Sequence, residues 1–493
     1  MSRQSQDVYI EWRGGTCRVK WWTGERLPSG RKRFAAKGGF LDEDTALDYG
    51  RDQRYEIRHG LHVPAANGAT PMSQWLDEWL ASLDLAHLSL RNYRWAIDSH
   101  IRPHFGSKAV GEIGILDVRA FKAHIQRTLG TDNSRHNVMM VLGMVMDDAV
   151  AAGLRKVSPV ERKRRRGRYK KKKRERKKDM AVAAVDRLAR NAEVVFGYSG
   201  YALIWTMAMT GMRPAELFGL TREYCYPTWP GSDPRTDPGE AERHEEEAGR
   251  YGPGEGRLPA IRVERQVQYE ASVLGFYPPK YDSYRTLVIP PFLAEMLQKL
   301  LASHTSPWVF VGVDGGCLAQ TDFNTFYWRP TADGSDEQPR RAGVDRRPAL
   351  PPVPGFAGKR MYLIRHGHKE WMDEDGHPRF VVETRMGHEL PGVEGIYSNL
   401  TPAMERRVAA SLQARWDSYR AELAPEEAVE IEPRPVQPRV SALVRDVMGR
   451  GITAPMKVLR EVQGLSPEAR YTQVRSAVQR ERERLRRDAA RGA

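Results

Sequence analysis

Residues 386–397 read Met-Gly-His-Glu-Leu-Pro-Gly-Val-Glu-Gly-Ile-Tyr, which places His388 directly after a glycine and Tyr397 nine residues further on. A long helical pattern follows the tyrosine. Alone, a histidine and a tyrosine at this spacing more often belong to a packed core than to a catalytic centre. The stretch gains meaning only if the chain supplies, upstream, the cations that a tyrosine needs in order to attack a phosphate.

The charge of the chain favours a polyanionic partner. Its 493 residues suggest about three domains, and its formal net charge of +15 with a pI of about 9.6 favours nucleic acid. Residues 162–178 contain 14 lysines and arginines against one acid, Glu175, and so carry +13 of that charge. The remainder is nearly balanced, so any other basic surface must be local.

The cysteines and the lengths of the apolar runs indicate in which cellular compartment the protein is expected. Three cysteines lie far apart at positions 17, 225 and 317, with no pair at metal-ligand spacing. This argues against a zinc site or a disulfide framework and favours a reducing compartment. The first residues lack the apolar core of a signal peptide, and the sequence has no apolar run of 18 residues. We therefore expect a soluble, cytoplasmic protein with no membrane partner.

The N-terminal region, residues 1–65, is predicted to be a small sheet followed by a helix. Three short strands separated by turns are predicted at residues 8–12, 17–22 and 31–34. The helix begins after Asp42, a suitable N-cap, and stops at Gly60. Basic and aromatic residues alternate in the strands, which suits a DNA-reading sheet, and an ordinary β-hairpin module with solvated charges fits equally well. The candidate DNA contacts are Arg18, Lys20 and Arg33.

Two further regions precede the largest segment. Residues 70–154 show helical periodicity and predict a bundle of about four helices, with Arg91 and Arg94 as candidate DNA contacts. Residues 155–178 form a basic linker, and such a run is usually solvated and flexible. A mobile strap of this kind would neutralise several phosphates, with a nuclear import signal as the main alternative. Its candidate DNA contacts are Arg164, Lys171 and Lys172.

Residues 179–422 are predicted to form an α+β domain, so the fold class is multidomain, mainly α with small β-sheets. Residues 229–257 are rich in glycine, proline and glutamate and predict an exposed insertion. Strands are expected at 260–269 and 286–289, on either side of a turn that carries Lys280. Met404, Val408, Leu412 and Trp416 recur every four residues, which predicts a helix that buries one face in its own domain or against a neighbouring protomer. The C-terminal extension, residues 423–493, suggests three helices and favours a solvated tail over a helix-turn-helix-like module.

Cleavage of a phosphodiester without a metal needs a nucleophile, a clamp for the non-bridging oxygens, and a proton for the leaving oxygen. Arginine suits the clamp because its planar fork stays charged, and lysine suits proton donation. The segment offers Arg213 at the start of a helix, with Glu216 one turn on and able to orient it. Each residue alone has an ordinary structural explanation, and their order along the chain is what favours a catalytic set. The later members of the series are Lys280, Tyr362, Arg365, His388 and Tyr397.

Residues 210–217, Thr-Gly-Met-Arg-Pro-Ala-Glu-Leu, resemble the first arginine box of the tyrosine recombinases, the phage integrase family. Residues 279–286 resemble the hairpin lysine motif of that family, and residues 362–366 resemble its His-x-x-Arg box. Residues 386–388 with Tyr397 match its terminal box. The N-terminal region is similar to the family's arm-type DNA-binding domain, and residues 75–105 to its core-binding domain, so the resemblance covers about residues 1–420.

This resemblance implies a site-specific recombinase that inserts or excises a mobile element such as a prophage or an integrative plasmid. Tyr397 would form a 3′-phosphotyrosyl link, Arg213 and Arg365 would hold the phosphate, His388 would donate a hydrogen bond, and Lys280 would protonate the leaving 5′-oxygen. No metal, ATP or other cofactor is implied. The implied partners are double-stranded DNA attachment sites, three further copies in a homotetramer that passes through a Holliday junction, and excision or host architectural factors.

Tyr362 departs from the family pattern, because it stands where the family usually has histidine. A tyrosine donates a hydrogen bond but is a poor acid or base near neutrality, since its reference pKa is about 10. The departure affects proton transfer at this position and leaves the phosphate clamp intact. Two alternative functions share the fold: a type IB topoisomerase and a non-catalytic DNA-binding regulator.

Overall fold

The computed structural model describes residues 7–13, 15–59, 63, 65–85, 87–161, 180–225, 247, 249–252, 256–270, 273–318, 323–339, 347–389, 400–424, 430–435 and 439–492. Most of the predicted basic linker, with Arg164, Lys171 and Lys172, lies outside these residues, as do most of the 229–257 insertion and Tyr397. The chain divides into two compact units, Met1–Lys172 and Lys173–Ala493. In the described part, no helix is both long enough and apolar enough to cross a membrane.

The first unit begins with a three-stranded antiparallel sheet covered by a helix. Its strands and helix are β1 (Val8–Arg13), β2 (Thr16–Arg26), β3 (Lys32–Phe40) and α1 (Glu43–Arg58). Asp42 caps α1, since its carboxylate accepts a hydrogen bond from the Thr45 amide at 2.7 Å. The strands are longer than predicted, because pairing between β2 and β3 continues to Phe40 across two irregularities. A Cβ added to Gly50 would lie 2.6 Å from Val8 and Val19, so glycine lets the helix approach the sheet closely.

A helical bundle follows in the same unit. Its helices are α2 (Ala65–Gly68), α3 (Met72–Ala81), α4 (His87–Ala96), α5 (Arg102–Phe105), α6 (Ile115–Thr128) and α7 (Asp132–Ala151). A π-helical turn, Ile97–Ile101, joins α4 to α5, so the helical run continues to Phe105. Pro103 lies two residues after this π-helical turn, and because proline has no backbone N–H it cannot donate a helical hydrogen bond to the turn before it. Leu76, Phe105 and Phe121 are fully buried in the core of the bundle.

The second unit is built around a completely buried helix. Its helices up to the C-terminal extension are α8 (Val182–Phe196), α9 (Tyr198–Thr210), α10 (Pro214–Phe218), α11 (Pro291–Ala302), α12 (Arg329–Asp333), α13 (Tyr362–Glu374), α14 (Arg379–Met386) and α15 (Pro402–Glu422). Every residue of α9 is buried, and α8, α11 and α13 pack around it. The site residues lie at the ends of these elements.

The strands of the second unit form two separate pairs. They are β4 (Ala260–Val263), β5 (Gln266–Glu270), β6 (Val273–Tyr277) and β7 (Arg285–Val288). The sequence predicted one strand over residues 260–269, whereas the structure divides it, because β4 pairs with β7 and β5 pairs with β6. Lys280 therefore lies between β6 and β7, after an additional hairpin.

Helix α15 buries its apolar stripe in its own domain. Val408 and Leu412 are buried, and the Trp416 ring is stacked on Phe292 with a centroid distance of 4.3 Å. Trp416 also meets Trp205 of α9 edge to face at 4.8 Å. The alternative that this stripe contacts a neighbouring protomer is therefore wrong, because α9 and α11 already cover it.

The C-terminal extension is a packed three-helix bundle. Its helices are α16 (Val440–Gly449), α17 (Pro455–Leu465) and α18 (Tyr471–Gly492). Leu443, Val447, Val458 and Val462 are fully buried in a core shared by the three helices. The expectation of a solvated tail is wrong, because apolar residues on all three helices face one another.

Candidate active site

Arg213 is held at the start of α10 by Glu216. The Glu216 carboxylate accepts hydrogen bonds from Arg213 Nη1 at 2.7 Å and from the Arg213 backbone N at 2.8 Å. Gly211 ends α9 in a left-handed conformation with φ of 65°, and a Cβ there would lie 2.6 Å from the His368 ring. The glycine turn and the helical spacing together direct the guanidinium inward.

Glu216 also binds a second arginine, Arg285 of β7. Arg285 Nη2 donates to Glu216 Oε2 at 2.8 Å, and Arg285 Nε donates to the Arg385 carbonyl at 2.9 Å. Burial alone would raise the pKa of the Glu216 carboxyl, but the charges and hydrogen bonds of Arg285 and Arg213 hold it below its usual value. The carboxylate therefore stays ionised between two guanidinium groups.

Arg365 on α13 is buried among neutral acceptors. Its guanidinium donates hydrogen bonds to the Gly211 and Met386 carbonyl oxygens, and its Nη2 lies 3.1 Å from His388 Nε2. The residue is 1% exposed. Burial and the nearby charge of Arg213 lower the pKa of Arg365 to about 10. Carbonyl oxygens orient the group but carry no formal charge, and the carboxylate of Glu216 acts on it only through space, without a hydrogen bond.

His388 is oriented by Glu383. Glu383 Oε2 lies 2.6 Å from His388 Nδ1, while Glu383 Oε1 accepts a hydrogen bond from Lys369. Burial opposes ionisation of Glu383, but its hydrogen bonds with Lys369 and His388 keep its pKa below the usual value. The imidazole therefore has one nitrogen fixed by a carboxylate and the other directed towards Arg365.

The corner at residues 386–388 brings these groups together. Gly387 ends α14 in a left-handed conformation with φ of 64°, and its carbonyl accepts a hydrogen bond from Arg213 Nη2 at 3.0 Å. Ser283 Oγ accepts from Arg213 Nη1 at 3.2 Å. A Cβ on Gly387 would lie 2.9 Å from both Ser283 Oγ and Arg285 Nη1. The glycine is thus required for the close approach of the arginines.

A fourth buried arginine, Arg385, directly precedes residues 386–388, and its guanidinium donates three hydrogen bonds. Its Nη2 donates to the Met209 and Val288 carbonyls at 2.7 and 2.9 Å, and its Nε donates to His368 Nε2 at 3.1 Å. Burial and the charge of Arg285 lower the pKa of Arg385 to about 9. Burial and the charge of Arg385 hold the pKa of His368 well below its usual value, so this histidine is neutral.

The site carries an excess of buried positive charge. Four buried guanidinium groups lie here, those of Arg213, Arg285, Arg365 and Arg385. Within the described residues only Arg213 and Arg285 are hydrogen-bonded to a carboxylate, and both bind Glu216. Such a cluster is suited to bind a planar or tetrahedral oxyanion by charge-assisted hydrogen bonds. No group of three or more histidine, cysteine, aspartate or glutamate residues in the described ranges is arranged to hold a metal ion.

Of the other predicted site residues, Tyr362 lies beside this cluster, and Lys280 lies three residues before Ser283, which contacts Arg213. Lys280 is exposed, and its Nζ lies 4.7 Å above the ring of Tyr281. Tyr362, on the first turn of α13, is 38% exposed, with the Arg365 guanidinium 5.8 Å from its ring centroid. Tyr397 lies outside the described residues, so the structure brings together Arg213, Glu216, Arg365 and His388, with Tyr362 beside them.

The described candidate DNA contacts lie in the first unit. Arg91 and Arg94 are exposed on α4. Arg18 and Lys20 lie on the face of β2 opposite its buried residues, and Lys20 is paired with Glu11. Arg33 is exposed and paired with Glu25 at 2.9 Å. These pairs reduce the local positive charge that the sequence alone suggested.

Sequence reasoning did not select several residues that shape the site. Arg285, Arg385, His368, Glu383 and Lys369 all contact a candidate residue or its support. Their positions offered a signal, because Arg285 lies inside the 279–286 motif and His368 and Lys369 follow Arg365 at one helical turn. Glu383, five residues before His388, is the member whose acidic character at a helix end could have drawn attention.

Comparison with known proteins gives matches at the level of solved structures. No protein-family model matches the sequence, and no curated protein matches it. The chain is similar to a lambda integrase tetramer bound to a Holliday junction, with 14% identity, a TM-score of 0.43, and coverage of 81% of this chain and 97% of that one. It is also similar to the Tn1549 transposon integrase in complex with a circular intermediate DNA, with 12% identity, a TM-score of 0.45, and coverage of 70% and 98%.

Proposed function

We propose that this chain is a site-specific tyrosine recombinase, an integrase that cuts and rejoins DNA through a 3′-phosphotyrosyl intermediate to insert or excise a mobile element. The observation that carries the proposal is the environment of Arg365. This arginine is almost fully buried, yet its guanidinium is hydrogen-bonded to two backbone carbonyls, Gly211 O and Met386 O, and within the described residues no carboxylate is hydrogen-bonded to it. A buried charge without a counter-charge is costly, and a bound phosphate would supply one.

The proposal gives each member of the set a role. The Tyr397 oxygen attacks phosphorus and forms the new P–O bond as the bond to the 5′-oxygen breaks, and the phenolic proton passes to solvent water. Arg213 and Arg365 hold the non-bridging oxygens, and His388 Nε2 adds a hydrogen bond. Lys280 gives its proton to the leaving 5′-oxygen. The 5′-hydroxyl of a second strand reverses the step, so the bond energy is retained and no ATP is consumed.

The proposed strand exchange implies which DNA and protein partners the chain needs. Two duplexes contribute four scissile phosphates, and each needs one Tyr397, so the active assembly is a homotetramer on DNA. The exposed Arg91 and Arg94 on α4 and the outer face of β2 are the proposed contacts with duplex DNA, together with Arg164, Lys171 and Lys172. Such contacts make binding strongly dependent on salt.

The test is a suicide substrate, a duplex nicked beside the scissile phosphate so that the short cleaved fragment diffuses away. A covalent protein–DNA band should form with the wild-type protein and be absent from Tyr397→Phe. Tyr471→Phe is the matched control, because Tyr471 is a half-exposed tyrosine on α18, remote in sequence from every motif. Absence of the band from wild type would contradict the proposal. Recombination between two attachment sites, as against relaxation of supercoils alone, separates an integrase from a type IB topoisomerase.

A further inference from the structure

A buried carboxylate joins the C-terminal bundle to the rest of the second unit. Asp446 of α16 is 6% exposed, and its Oδ2 accepts hydrogen bonds from Trp308 Nε1 at 2.9 Å and from the Cys317 backbone N at 3.2 Å. The Arg439 backbone N also donates to the Asp314 carbonyl at 3.0 Å. Helix α16 is therefore fixed to the segment 308–317.

The same segment supports the hairpin that precedes Lys280. The Trp308 ring stacks on Phe276 of β6, with centroids 5.7 Å apart and planes 12° from parallel. Trp308 and Leu274 are buried in one small apolar cluster. Helix α16 also contacts β6 directly, because a Cβ added to Gly449 would lie only 2.8 Å from Leu274 Cβ. Strand β6 thus has an indirect contact with α16 through Trp308 and a direct one at Gly449.

Lys280 lies on the turn between this strand and β7. Beyond the turn, Ser283 and Arg285 are bonded to Arg213 and Glu216 at the centre of the site. Within it, Tyr281 and Asp282 have φ of 63° and 48°, a left-handed conformation that is unfavourable for residues other than glycine. Such a turn keeps its shape only when both ends are held, and the end at β6 is held by α16 and its partners.

We infer that α16 is a brace that positions Lys280, with Asp446 and Gly449 as positioning residues. The inference rests on the proposed function, in which Lys280 donates the proton to the leaving 5′-oxygen. Loss of the brace should leave the phosphate clamp and Tyr397 in place but displace the proton donor. The defect should therefore depend on the leaving group.

A substrate with sulfur in place of the bridging 5′-oxygen distinguishes these effects. The P–S bond breaks to give a thiolate, which leaves without protonation, so cleavage of this substrate does not need Lys280. Single-turnover adduct formation is measured on matched oxygen and sulfur suicide substrates with the full-length protein. Lys280→Ala provides the reference: its rate of adduct formation should fall strongly on the oxygen substrate and only slightly on the sulfur substrate.

Two brace variants and two controls complete the experiment. Asp446→Ala removes the acceptor for Trp308, and Gly449→Ala pushes Leu274 away from α16. Both should slow cleavage of the oxygen substrate about tenfold or more and change the sulfur reaction by less than about twofold. Asp446→Asn keeps an acceptor oxygen and should retain most of the oxygen rate. Gly464→Ala, where an added Cβ meets nothing within 4 Å, should match wild type.

Each contrary outcome has one meaning. Equal slowing of Asp446→Ala and Gly449→Ala on both substrates would overturn the inference, because a general structural defect does not depend on the leaving group. Unchanged rates on both substrates would overturn it as well. A wild-type protein that forms no adduct with either substrate would instead contradict the proposed function, so the two failures are distinguishable.

Discussion

Glu383 Oε2 lies 2.6 Å from His388 Nδ1, which places a carboxylate behind the histidine and leaves its other nitrogen 3.1 Å from Arg365 Nη2. This pairing fixes the ring orientation in the way that an acid fixes a catalytic histidine in other enzymes. The pair joins the end of α14 to the buried arginine of α13, so His388 and Arg365 can act on the same oxygen.

Glu383→Gln should lower the single-turnover rate of adduct formation by about tenfold, because the amide keeps the shape but loses the charge that favours a hydrogen-bond-donating imidazole. DNA affinity measured by gel shift should hardly change. Lys369→Met, which removes the other partner of Glu383, should have a smaller effect. A rate equal to wild type in Glu383→Gln would show that the carboxylate does not orient His388 in the reaction.

Arg365→Lys should reduce adduct formation by about 100-fold or more, although the charge is retained. A lysine ammonium cannot reach Gly211 O and Met386 O while also donating to a phosphate, since it lacks the planar fork. The measurement is single-turnover cleavage of the suicide substrate. Arg360→Lys, two residues before the start of α13, is the control. Near-normal cleavage by Arg365→Lys would mean that the guanidinium does not contact the phosphate.

Tyr362→Phe should slow cleavage only modestly, by about two- to tenfold, whereas Tyr397→Phe should abolish the covalent adduct. Tyr362 is 38% exposed beside the arginine cluster, where its hydroxyl can supply a hydrogen bond but no phosphate clamp and no nucleophile of the proposed reaction. Both variants are compared on the same suicide substrate. Equal losses from the two changes would refute this ranking.

Glu216→Gln should destabilise the second unit by about 3 to 5 kcal/mol, because it leaves Arg213 and Arg285 buried without their counter-charge. The pKa of Glu216 is lower in the folded protein than its usual value of 4.5. Its stabilising effect is therefore fully present above about pH 4.5 and is lost as the pH falls through the lower folded value. Urea unfolding of wild type and Glu216→Gln between pH 3 and pH 7 checks both points, and parallel curves at all pH values would contradict the assignment.

Asp446 should give the opposite pH dependence. Burial raises its pKa from 3.8 to about 7, with hydrogen bonds from Trp308 and Cys317 opposing the rise, and Asp314 and Arg445 are the nearby charged groups. The folded protein then holds a proton that the unfolded chain has lost, so stability falls as the pH rises from about 4 to about 7, by at most about 4 kcal/mol. Asp446→Asn should remove this decline in thermal unfolding curves. An unchanged decline would assign it to other groups.

The side-chain contact that was predicted correctly from the sequence joins two residues one helical turn apart. Glu216 lies one helical turn from Arg213, and the two side chains meet as that spacing requires. Arg285 binds the same carboxylate from 69 residues away, and Asp446 reaches Trp308 across 138 residues. Contacts of that range depend on how helices and strands pack, which periodicity along the chain does not encode.

The expectations that proved wrong also depended on contacts between residues that are far apart in the chain. The apolar stripe of α15 predicted a buried face, but only the positions of Phe292 and Trp205 determine that the face packs within its own domain. The Arg-rich stretch 467–486 suggested a solvated tail, although the buried Val474 and Val478 lie four residues apart on α18. The charged residues between these positions made the apolar face of α18 hard to recognise in the sequence.

The most direct measurement is the identity of the residue that carries the DNA. Trypsin cleaves after Arg385 and Arg406, and the peptide between them, residues 386–406, contains Tyr397 as its sole tyrosine. After reaction with the suicide substrate and nuclease digestion, mass spectrometry should find this peptide with a nucleotide joined through its 3′-phosphate to Tyr397. A linkage to another residue, a linkage through a 5′-phosphate, or no linked peptide would contradict the assignment of this chain as a tyrosine recombinase.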